Sequence, residues 1–421
     1  MPSIVLPAPL RPPPPSSPIP PPRPSAPPAV WVLVVGASLI RAGGFVYPFL
    51  PYRLADLGFS TRGISTALAA FGVGWLVGQI LWGRLSDALG RRATLVTAMV
   101  LAAIVLPLLA WATAPVAIAA ASVVAGACYD APRPVISAVI TDSVPDADMR
   151  ASLNGWRHFG INIGAAVTGA TGGLVLDSTG LPVLFCINGA VCAALALTVL
   201  VLAPSDRPAP RVPVPHADGT AVSPLRDRQL WLLWLASLGA LMPVAGLAST
   251  LPLLMADAGL PASAFGWTQV ASAVAVLVLS TPLNTWLSRR ARSSSLVGLL
   301  AVSSLVLGAG IGSAGLASSP LEYTAAAVIA VPGEITAFVA ASTVLDRITP
   351  AHARGLYAGV WGSTLASAVI CAPVLAGWSL THGGPGLVGI TTVACGVLGT
   401  AVCLPLAALV NRPQFPPVSP R

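Results

Sequence analysis

Four ionisable residues lie within long apolar stretches of the sequence: Arg41, Asp130, Arg133 and Glu334. A charge is costly in an apolar environment, so such residues pair with one another, line a water-filled path or exchange a proton. Their types allow two kinds of chemistry, the reversible protonation of a carboxyl group and the pairing of a guanidinium with an acid. We therefore take them as the candidate proton-coupling residues.

The two acids differ in their sequence surroundings. Arg133 follows Asp130 by three residues, so the two share a helix face, and the adjacent cation favours the ionised carboxylate. Glu334 has no basic neighbour in sequence, so loss of hydration favours its protonated form. We predict that Glu334 carries a proton and that Asp130 and Arg133 form a pair that sets charge preference. A partner such as Arg41 would change this interpretation, and a static ion network that only orients helices is the alternative.

The elements that carry these residues are apolar over almost the whole chain. Of its 421 residues, 55% are hydrophobic and 9% charged, and the mean hydropathy is +0.82. Soluble domains carry about 25% charged residues, so this chain is predicted to be an all-α membrane protein. The net charge of +8 comes from arginines that fall singly or in pairs between apolar stretches. That distribution is typical of membrane topology and argues against a nucleic-acid partner.

Segmentation predicts twelve transmembrane helices, because a bilayer core of about 30 Å needs about 20 apolar residues per helix. The segments are 30–52, 63–83, 93–112, 115–141, 153–176, 181–203, 229–254, 264–287, 295–316, 320–345, 355–379 and 385–410. The domain prediction is a disordered Pro-rich tail (1–29), a six-helix bundle (30–204), a linker (205–228), a second bundle (229–411) and a tail (412–421).

The arginines predict the orientation. With the N-terminus inside, the outer loops hold only Arg53 and Arg62, while the inner segments hold Arg11, Arg23, Arg84, Arg91, Arg92, Arg150, Arg207, Arg211, Arg226, Arg228, Arg289, Arg290, Arg292, Arg347, Arg354, Arg412 and Arg421. This bias predicts a multi-pass protein of the cell inner (plasma) membrane with both termini cytoplasmic.

The two halves resemble one another, which predicts two pseudo-symmetric six-helix bundles. Residues 81–96 lie over 282–297, and 140–176 lie over 344–380. The same alignment places Asp130 opposite Glu334, one acid on helix four and its repeat mate on helix ten. Duplicated halves with a midplane site between them are an architecture of secondary transporters.

The loop after the second segment, residues 83–92 (GRLSDALGRR), resembles the signature of the major facilitator superfamily. Residues 41–60, and a fourth helix ending in Thr-Asp-x-x-Pro with an arginine a few residues on, resemble the drug and small-molecule efflux branch. In the fifth helix, residues 164–173 keep the small residues of the antiporter element, but Thr-Gly replaces its central Gly-Pro. The branch's arginine about four residues before Gly126 is absent.

The resemblance implies a gating latch between the loop and its neighbours. Gly83 and Gly90 allow tight helix ends and close approach. Asp87 can interact with the dipole at the start of helix eleven, near Arg354 and Gly355. The remaining latch residues are two loop arginines, the acid that they can meet at the end of helix four, and the arginine beyond it: Arg91, Arg92, Asp142 and Arg150. Topology signalling alone is the alternative for the arginines.

The resemblance also implies a substrate cavity lined by helices one, four, five and eleven. Its candidate substrate contacts are Tyr47, Tyr129, Asn162 and Trp361, with plain packing as the alternative. Arg157 and His158 lie near the inner end of helix five, and His158 is taken as interfacial. The cysteines lie in apolar segments without metal-ligand spacing, and no catalytic motif is present, so neither a metal site nor an enzyme is predicted.

The implied function is secondary active transport: proton-coupled efflux of a small hydrophobic molecule by alternating access. It needs no cofactor beyond the proton gradient, and its partners are the substrate, protons and the lipid bilayer, with the chain a monomer. Uptake of a sugar or metabolite by symport or uniport is the alternative, as is a non-transporting membrane sensor of the same fold.

Overall fold

The computed structural model describes residues 27–144, 146–202, 226–291, 296–350 and 354–410. Every regular element in these ranges is helical. The helices are α1 (Pro28–Ala42), α2 (Val46–Asp56), α3 (Thr61–Leu89), α4 (Arg91–Trp111), α5 (Pro115–Tyr129), α6 (Pro132–Ser143), α7 (Ala147–Thr179), α8 (Leu181–Leu202), α9 (Arg228–Gly246), α10 (Thr250–Asp257), α11 (Ala262–Ala291), α12 (Val297–Ser313), α13 (Pro320–Ile348) and α14 (Arg354–Val410).

The helices are long and apolar enough to cross a membrane repeatedly. Within the described ranges, nine helical stretches qualify by length and composition. The last of them folds back on itself at Gly383 and Gly384, whose φ angles are −153° and +67°, so α14 contributes two passes. The broken helix α5–α6 and the helix α7 supply two more, which is consistent with the predicted twelve. The all-α membrane fold predicted from composition is confirmed.

The helices pack as two bundles. Helices α1 to α8 contact one another through pairs such as α4 with α8 and α3 with α5, and α9 to α14 do the same through α9 with α14 and α12 with α13. Between the bundles, α7 packs on α11, α3 on α14 and α2 on α10. Most of the predicted N-terminal tail, all of the C-terminal one and most of the predicted linker lie outside the described residues, and α1 begins at Pro28, two residues inside the predicted tail.

The two faces of the molecule are named by their loops. The arginine-rich face is where α1 begins, α3 and α11 end and α4 begins, and it carries Arg84, Arg91 and Arg289. The opposite face carries the turns after α2, α4 and α10. At the opposite face, Arg53 donates from Nε and Nη2 to the carbonyl oxygen of Ala110, at 3.1 and 2.7 Å. This cation therefore caps the C-terminal end of α4, where the helix dipole is negative.

Three membrane spans are broken inside the protein, at Gly43–Phe45, at Asp130–Ala131 and at Leu247–Ser249. The first break is supported by side chains from α7 and α8. The Thr168 hydroxyl donates to the carbonyl oxygens of Arg41 and Ala42, the latter at 3.0 Å, and Asn188 Oδ1 accepts the N–H of Val46 at 3.2 Å. Backbone groups released by a helix break must find such partners in an apolar interior.

We predict that Thr168→Val destabilises the protein by about 1 kcal/mol, the usual size of a hydrogen bond between membrane helices. The substitution keeps the shape of the side chain but removes the hydroxyl donor that the Arg41 and Ala42 carbonyls share. Among the described residues, only the Arg41 carbonyl then keeps a backbone donor, the Gly44 N–H at 3.2 Å. Thr198→Val is the matched control, because the Thr198 hydroxyl is on the exposed side of α8 and bonds only its own helix, at Ala194 O. Thermal unfolding in detergent should separate the two variants by a few degrees, and equal melting temperatures contradict the assignment.

Candidate functional site

The break between α5 and α6 positions the predicted Asp130–Arg133 pair. Pro132 has no N–H, so α5 ends at Tyr129 and Asp130 leaves the helical path. The Asp130 carboxylate accepts from Arg133 Nε, at 3.1 Å to Oδ1 and 2.9 Å to Oδ2, and from Trp75 Nε1 at 2.9 Å. The ion pair predicted from the three-residue spacing is confirmed, and Trp75 on α3 is a partner that spacing could not show.

A second guanidinium lies beside this pair. Arg157 on α7 donates from Nη1 to Ser137 Oγ at 2.7 Å, and it is close enough to Asp130 and Arg133 to interact electrostatically with both. Sequence analysis placed Arg157 only near the end of helix five. The contact crosses from α7 to α6, so no local pattern could reveal it. The cluster therefore combines two cations with one acid.

Arg41 lies at the end of α1, directly before the first helix break. Its Nη1 donates to the Tyr129 hydroxyl at 2.8 Å. It is also close enough to Glu334, in the other bundle, to interact electrostatically. The sequence-based view that Glu334 has no cationic neighbour therefore holds along the chain but not in space. Arg41 connects the acid of α13 to the end of α5.

Glu334 lies in the interior on α13. Protein atoms surround it, yet its side chain keeps a partly accessible surface. A residue with both properties borders an internal space. Gly333 beside it packs tightly on α12, since a Cβ at this position would lie 2.9 Å from Leu307 Cγ. This packing holds α13 against α12, and the electrostatic interaction with Arg41 puts Glu334 on the side of α13 toward the first bundle.

Aromatic rings continue from the charge cluster into the first bundle. The ring centroids of Tyr129 lie 5.4 Å from Phe71 and 5.7 Å from Trp75, and Phe71 lies 4.7 Å from Tyr47. Tyr129 is half-buried, whereas Tyr47 is only 4% exposed. The Tyr47 hydroxyl faces Ser249 but has no hydrogen-bond partner of normal geometry among the described residues. Of the two predicted substrate contacts here, only Tyr129 presents surface in this conformation.

The other two predicted substrate contacts lie on α14 and α7. Trp361 is half-buried and donates from Nε1 to Ser237 Oγ at 3.1 Å. It borders an apolar recess together with Leu241, Leu300 and Phe338. Asn162 is half-buried on α7 and has polar interactions of its own. A substrate role for these side chains stays a prediction.

The space between the bundles, called here the central cleft, is closed at the opposite face. The Phe265 ring of α11 lies 5.6 Å from Phe49 and 6.2 Å from Tyr52, both on α2. Below these rings the helices touch through small residues. A Cβ on Gly169 would lie 2.6 Å from the Gly266 carbonyl oxygen, and one on Gly72 would lie 2.9 Å from the Ile370 backbone nitrogen. The small-residue packing predicted for the fifth helix is confirmed.

The cleft is open toward the arginine-rich face. Helix α6 contacts α1, α3, α4 and α7, all in its own bundle, and α13 likewise packs within the second bundle. At this end of the helices, a Cβ added to certain glycines would meet no described atom of another helix within 4 Å. These glycines are Gly83, Gly155, Gly359 and Gly362. Among the described residues no atom lies close to Gly83, and its part in a close approach stays a prediction.

The predicted latch is only partly described. Gly90 has φ +91°, which confirms that a glycine is needed for the tight turn from α3 to α4. Arg91 donates to Ser86 Oγ at 3.0 Å, Arg92 to the Leu200 carbonyl oxygen, and Arg150 to the Val144 carbonyl oxygen at 3.0 Å. The described part of the structure leaves out the side chains of Asp87, Asp142, His158 and Arg354. It also leaves out the surroundings of Gly355, which is described only as part of α14. The latch contacts stay a prediction.

Two helical bundles around a cleft that is closed at one face, with charges buried between them, are the architecture of a secondary transporter. The family model described as Major Facilitator Superfamily matches residues 30–373. The chain belongs to the major facilitator superfamily.

Named relatives and solved structures agree with this assignment. The chain is 30% identical over 344 residues to the multidrug resistance protein MdtH of Cronobacter sakazakii, covering 78% of this chain and 81% of that one. It is 28% identical over 162 residues to a cis,cis-muconate transport protein of Acinetobacter baylyi, covering 38% and 39%. A POT family transporter in complex with a thioalcohol-conjugated peptide superposes with a TM-score of 0.76 at 14% identity, over 92% and 97% of the two chains. A variant of the nucleoside transporter NupG gives 0.68 at 14%, over 91% and 100%.

Proposed function

We propose that this chain is a proton-coupled transporter of the plasma membrane that exports a small, largely hydrophobic molecule, with Glu334 as the proton carrier. The observation that carries the proposal is the position of Glu334. It lies deep in the protein, keeps accessible surface at the central cleft and faces Arg41 across the two bundles. A carboxyl group in this position can gain and lose a proton as the cleft alternates between the two sides.

The coupling follows from the charge on Glu334. When the carboxyl is ionised, its attraction to Arg41 links α13 to α1 and favours one arrangement of the bundles. When it is protonated, that attraction is lost and Arg41 keeps only its hydrogen bond to Tyr129. A proton can thus change the relative stability of two arrangements, which is the requirement for coupling. With both termini cytoplasmic, as the arginines predict, the cleft described here is open to the cytoplasm and ready to load a cargo for export.

Uptake by proton symport is the second candidate, and a specific observation favours it. The described charged side chains at the cleft carry more positive than negative charge, so an anionic cargo binds best when Glu334 is protonated. Proton and cargo then move together. Of the two relatives, one is named a multidrug resistance protein and the other a cis,cis-muconate transport protein.

Everted membrane vesicles with an acidic interior separate export from uptake. Hydrophobic test compounds with cationic, neutral and anionic head groups are added singly, and the proton gradient is followed by acridine orange fluorescence. Export by exchange should dissipate the gradient when a cargo is added, and the labelled cargo should accumulate in the vesicles. Accumulation in right-side-out vesicles under an inward gradient indicates symport instead. Transport that ignores the proton gradient in both vesicle types contradicts proton coupling.

A further inference from the structure

Only one edge of the Arg133 guanidinium binds another described residue. Its Nε binds Asp130, while the two terminal nitrogens have no acceptor among the described residues. The Arg133 side chain is 51% exposed although it starts from the middle of a membrane span, whereas Asp130 is 15% exposed. An exposed guanidinium edge at this depth is costly unless it faces water or a ligand. Its two parallel N–H groups match the two oxygens of a carboxylate.

We infer that the cargo is an amphipathic organic monoanion, whose carboxylate binds the terminal nitrogens of Arg133 with Arg157 beside it. This inference rests on the proposed proton-coupled transport and specifies its substrate class; because a monoanion binds best when Glu334 is protonated, it favours the uptake candidate over export. Arg157 donates from Nη1 to Ser137 Oγ at 2.7 Å and interacts electrostatically with Arg133, so a second cation is in range of the first. Two guanidiniums in range of one another repel, and an anion bound at Arg133 relieves that repulsion.

The charges at the cleft fit a single negative charge on the cargo. The described interior side chains include the cations Arg41, Arg133 and Arg157 and the acids Asp130 and Glu334. With both acids ionised, one positive charge remains without a counter-charge. A monoanion balances it, whereas a cationic cargo would add to the excess in an environment that screens charge poorly.

The apolar part of the cargo has surfaces to bind on both bundles. Tyr129 and Trp75 stand beside the Asp130–Arg133 pair, with Tyr129 partly exposed. On the second bundle, the half-buried side chains of Trp361 and Phe338 present apolar surface. A carboxylate head at Arg133 with an aromatic or aliphatic body directed along the cleft uses these groups together. Small-molecule sites in proteins are usually of this kind, mostly apolar with a few polar groups that fix the orientation of the ligand.

The test uses sets of compounds that share one body and differ only in the head group. Three bodies are used, phenylpropyl, naphthylmethyl and heptyl, each as the carboxylate, the primary amide and the primary amine. Binding to the purified full-length protein in detergent is measured by tryptophan fluorescence and thermal shift, with no proton gradient. For at least one body, the carboxylate should bind about tenfold more tightly than the amide, and the amine should bind more weakly still.

Two substitutions should move the binding in opposite directions. Arg133→Gln should remove the preference for carboxylate over amide, while Asp130→Asn should strengthen carboxylate binding, because it removes the competing acid from the same guanidinium. A purely structural role predicts that both variants weaken binding alike. Arg62→Gln, at an exposed arginine of the opposite face, is the matched control and should behave like the unsubstituted protein.

Equal binding of amide and carboxylate for all three bodies, or no binding of any carboxylate at millimolar concentration, overturns the inference. So does a preference that survives Arg133→Gln. None of these measurements depends on a proton gradient. Loss of proton coupling in the vesicle assays with intact carboxylate selectivity would therefore reject the proposed function and leave the substrate class standing.

Discussion

Glu334→Gln should abolish uphill transport driven by a proton gradient while leaving exchange of cargo across the membrane intact. The amide is nearly the same size as the protonated acid and cannot release a proton, so the link between α13 and Arg41 no longer depends on pH. In proteoliposomes, gradient-driven accumulation should fall by at least about tenfold, since an uncoupled carrier only equilibrates its cargo. Counterflow of labelled against unlabelled cargo should continue.

The chain provides its own control for this experiment. It contains two glutamates, and both lie on α13. Glu322 is at the helix start, where its Oε2 accepts from the backbone of Ser318 and Ser319 at 2.6 and 3.1 Å in a capping box. Glutamine also serves at this position of a capping box, so Glu322→Gln should retain gradient-driven accumulation. If Glu334→Gln retains it as well, the carrier role is wrong.

Gly169→Ala should open the opposite face. The added methyl group would lie 2.6 Å from the Gly266 carbonyl oxygen and 2.7 Å from Gln269 Cβ, so α7 and α11 cannot stay in contact. Contacts this short force the helices to shift, and overpacking of this kind costs about 1–3 kcal/mol. The penalty applies only to the arrangement in which this face is closed. The population should therefore shift toward the arrangement that is open there, by about 5- to 150-fold.

A thiol probe at the helix break of α9 and α10 measures this shift. Ser249 is fully buried in the closed arrangement. In a variant without the six native cysteines, Ser249→Cys should react slowly with a membrane-impermeant maleimide added at the opposite face. Adding Gly169→Ala should raise the rate about tenfold. Gly362→Ala is the matched control, because no atom lies within 4 Å of its added Cβ. Unchanged labelling in Gly169→Ala contradicts the proposal that the contact of α7 with α11 at Gly169 keeps this face closed.

The fold could be predicted from the sequence because a membrane limits the choices. Hydropathy and helix breakers gave the passes to within a few residues, and the three-residue spacing of Asp130 and Arg133 gave their ion pair. Neither hydropathy nor the spacing of residues within one segment shows which residues of different helices are in contact. The electrostatic interaction of Arg41 with Glu334, the Trp75 hydrogen bond and the position of Arg157 join residues far apart in sequence. Local pattern holds no information on such pairings, so the cationic character of the site was missed.

Local sequence patterns also could not predict which end of the cleft is open and which is closed, for a different reason. The loop glycines are equally present in either arrangement, and only distances show which ones are in contact. Gly169 and Gly72 are in contact across the bundles, whereas Gly83 and Gly359 are not. The repeat between the halves places Asp130 and Glu334 at matching positions, but it cannot show that their surroundings differ. Asp130 has a tight partner in Arg133, and Glu334 has a distant one in Arg41.

The three helix breaks have a bearing on how a proton reaches the middle of the protein. They meet near one another, since Arg41 binds Tyr129 and the Tyr47 hydroxyl faces Ser249. Interrupted helices leave peptide groups that attract water, and they occur in both bundles. Hydration around Glu334 should thus persist whichever side is open. Under the proposed coupling, a chain of such water molecules would conduct the proton by hopping, and we expect no dedicated relay of titratable side chains.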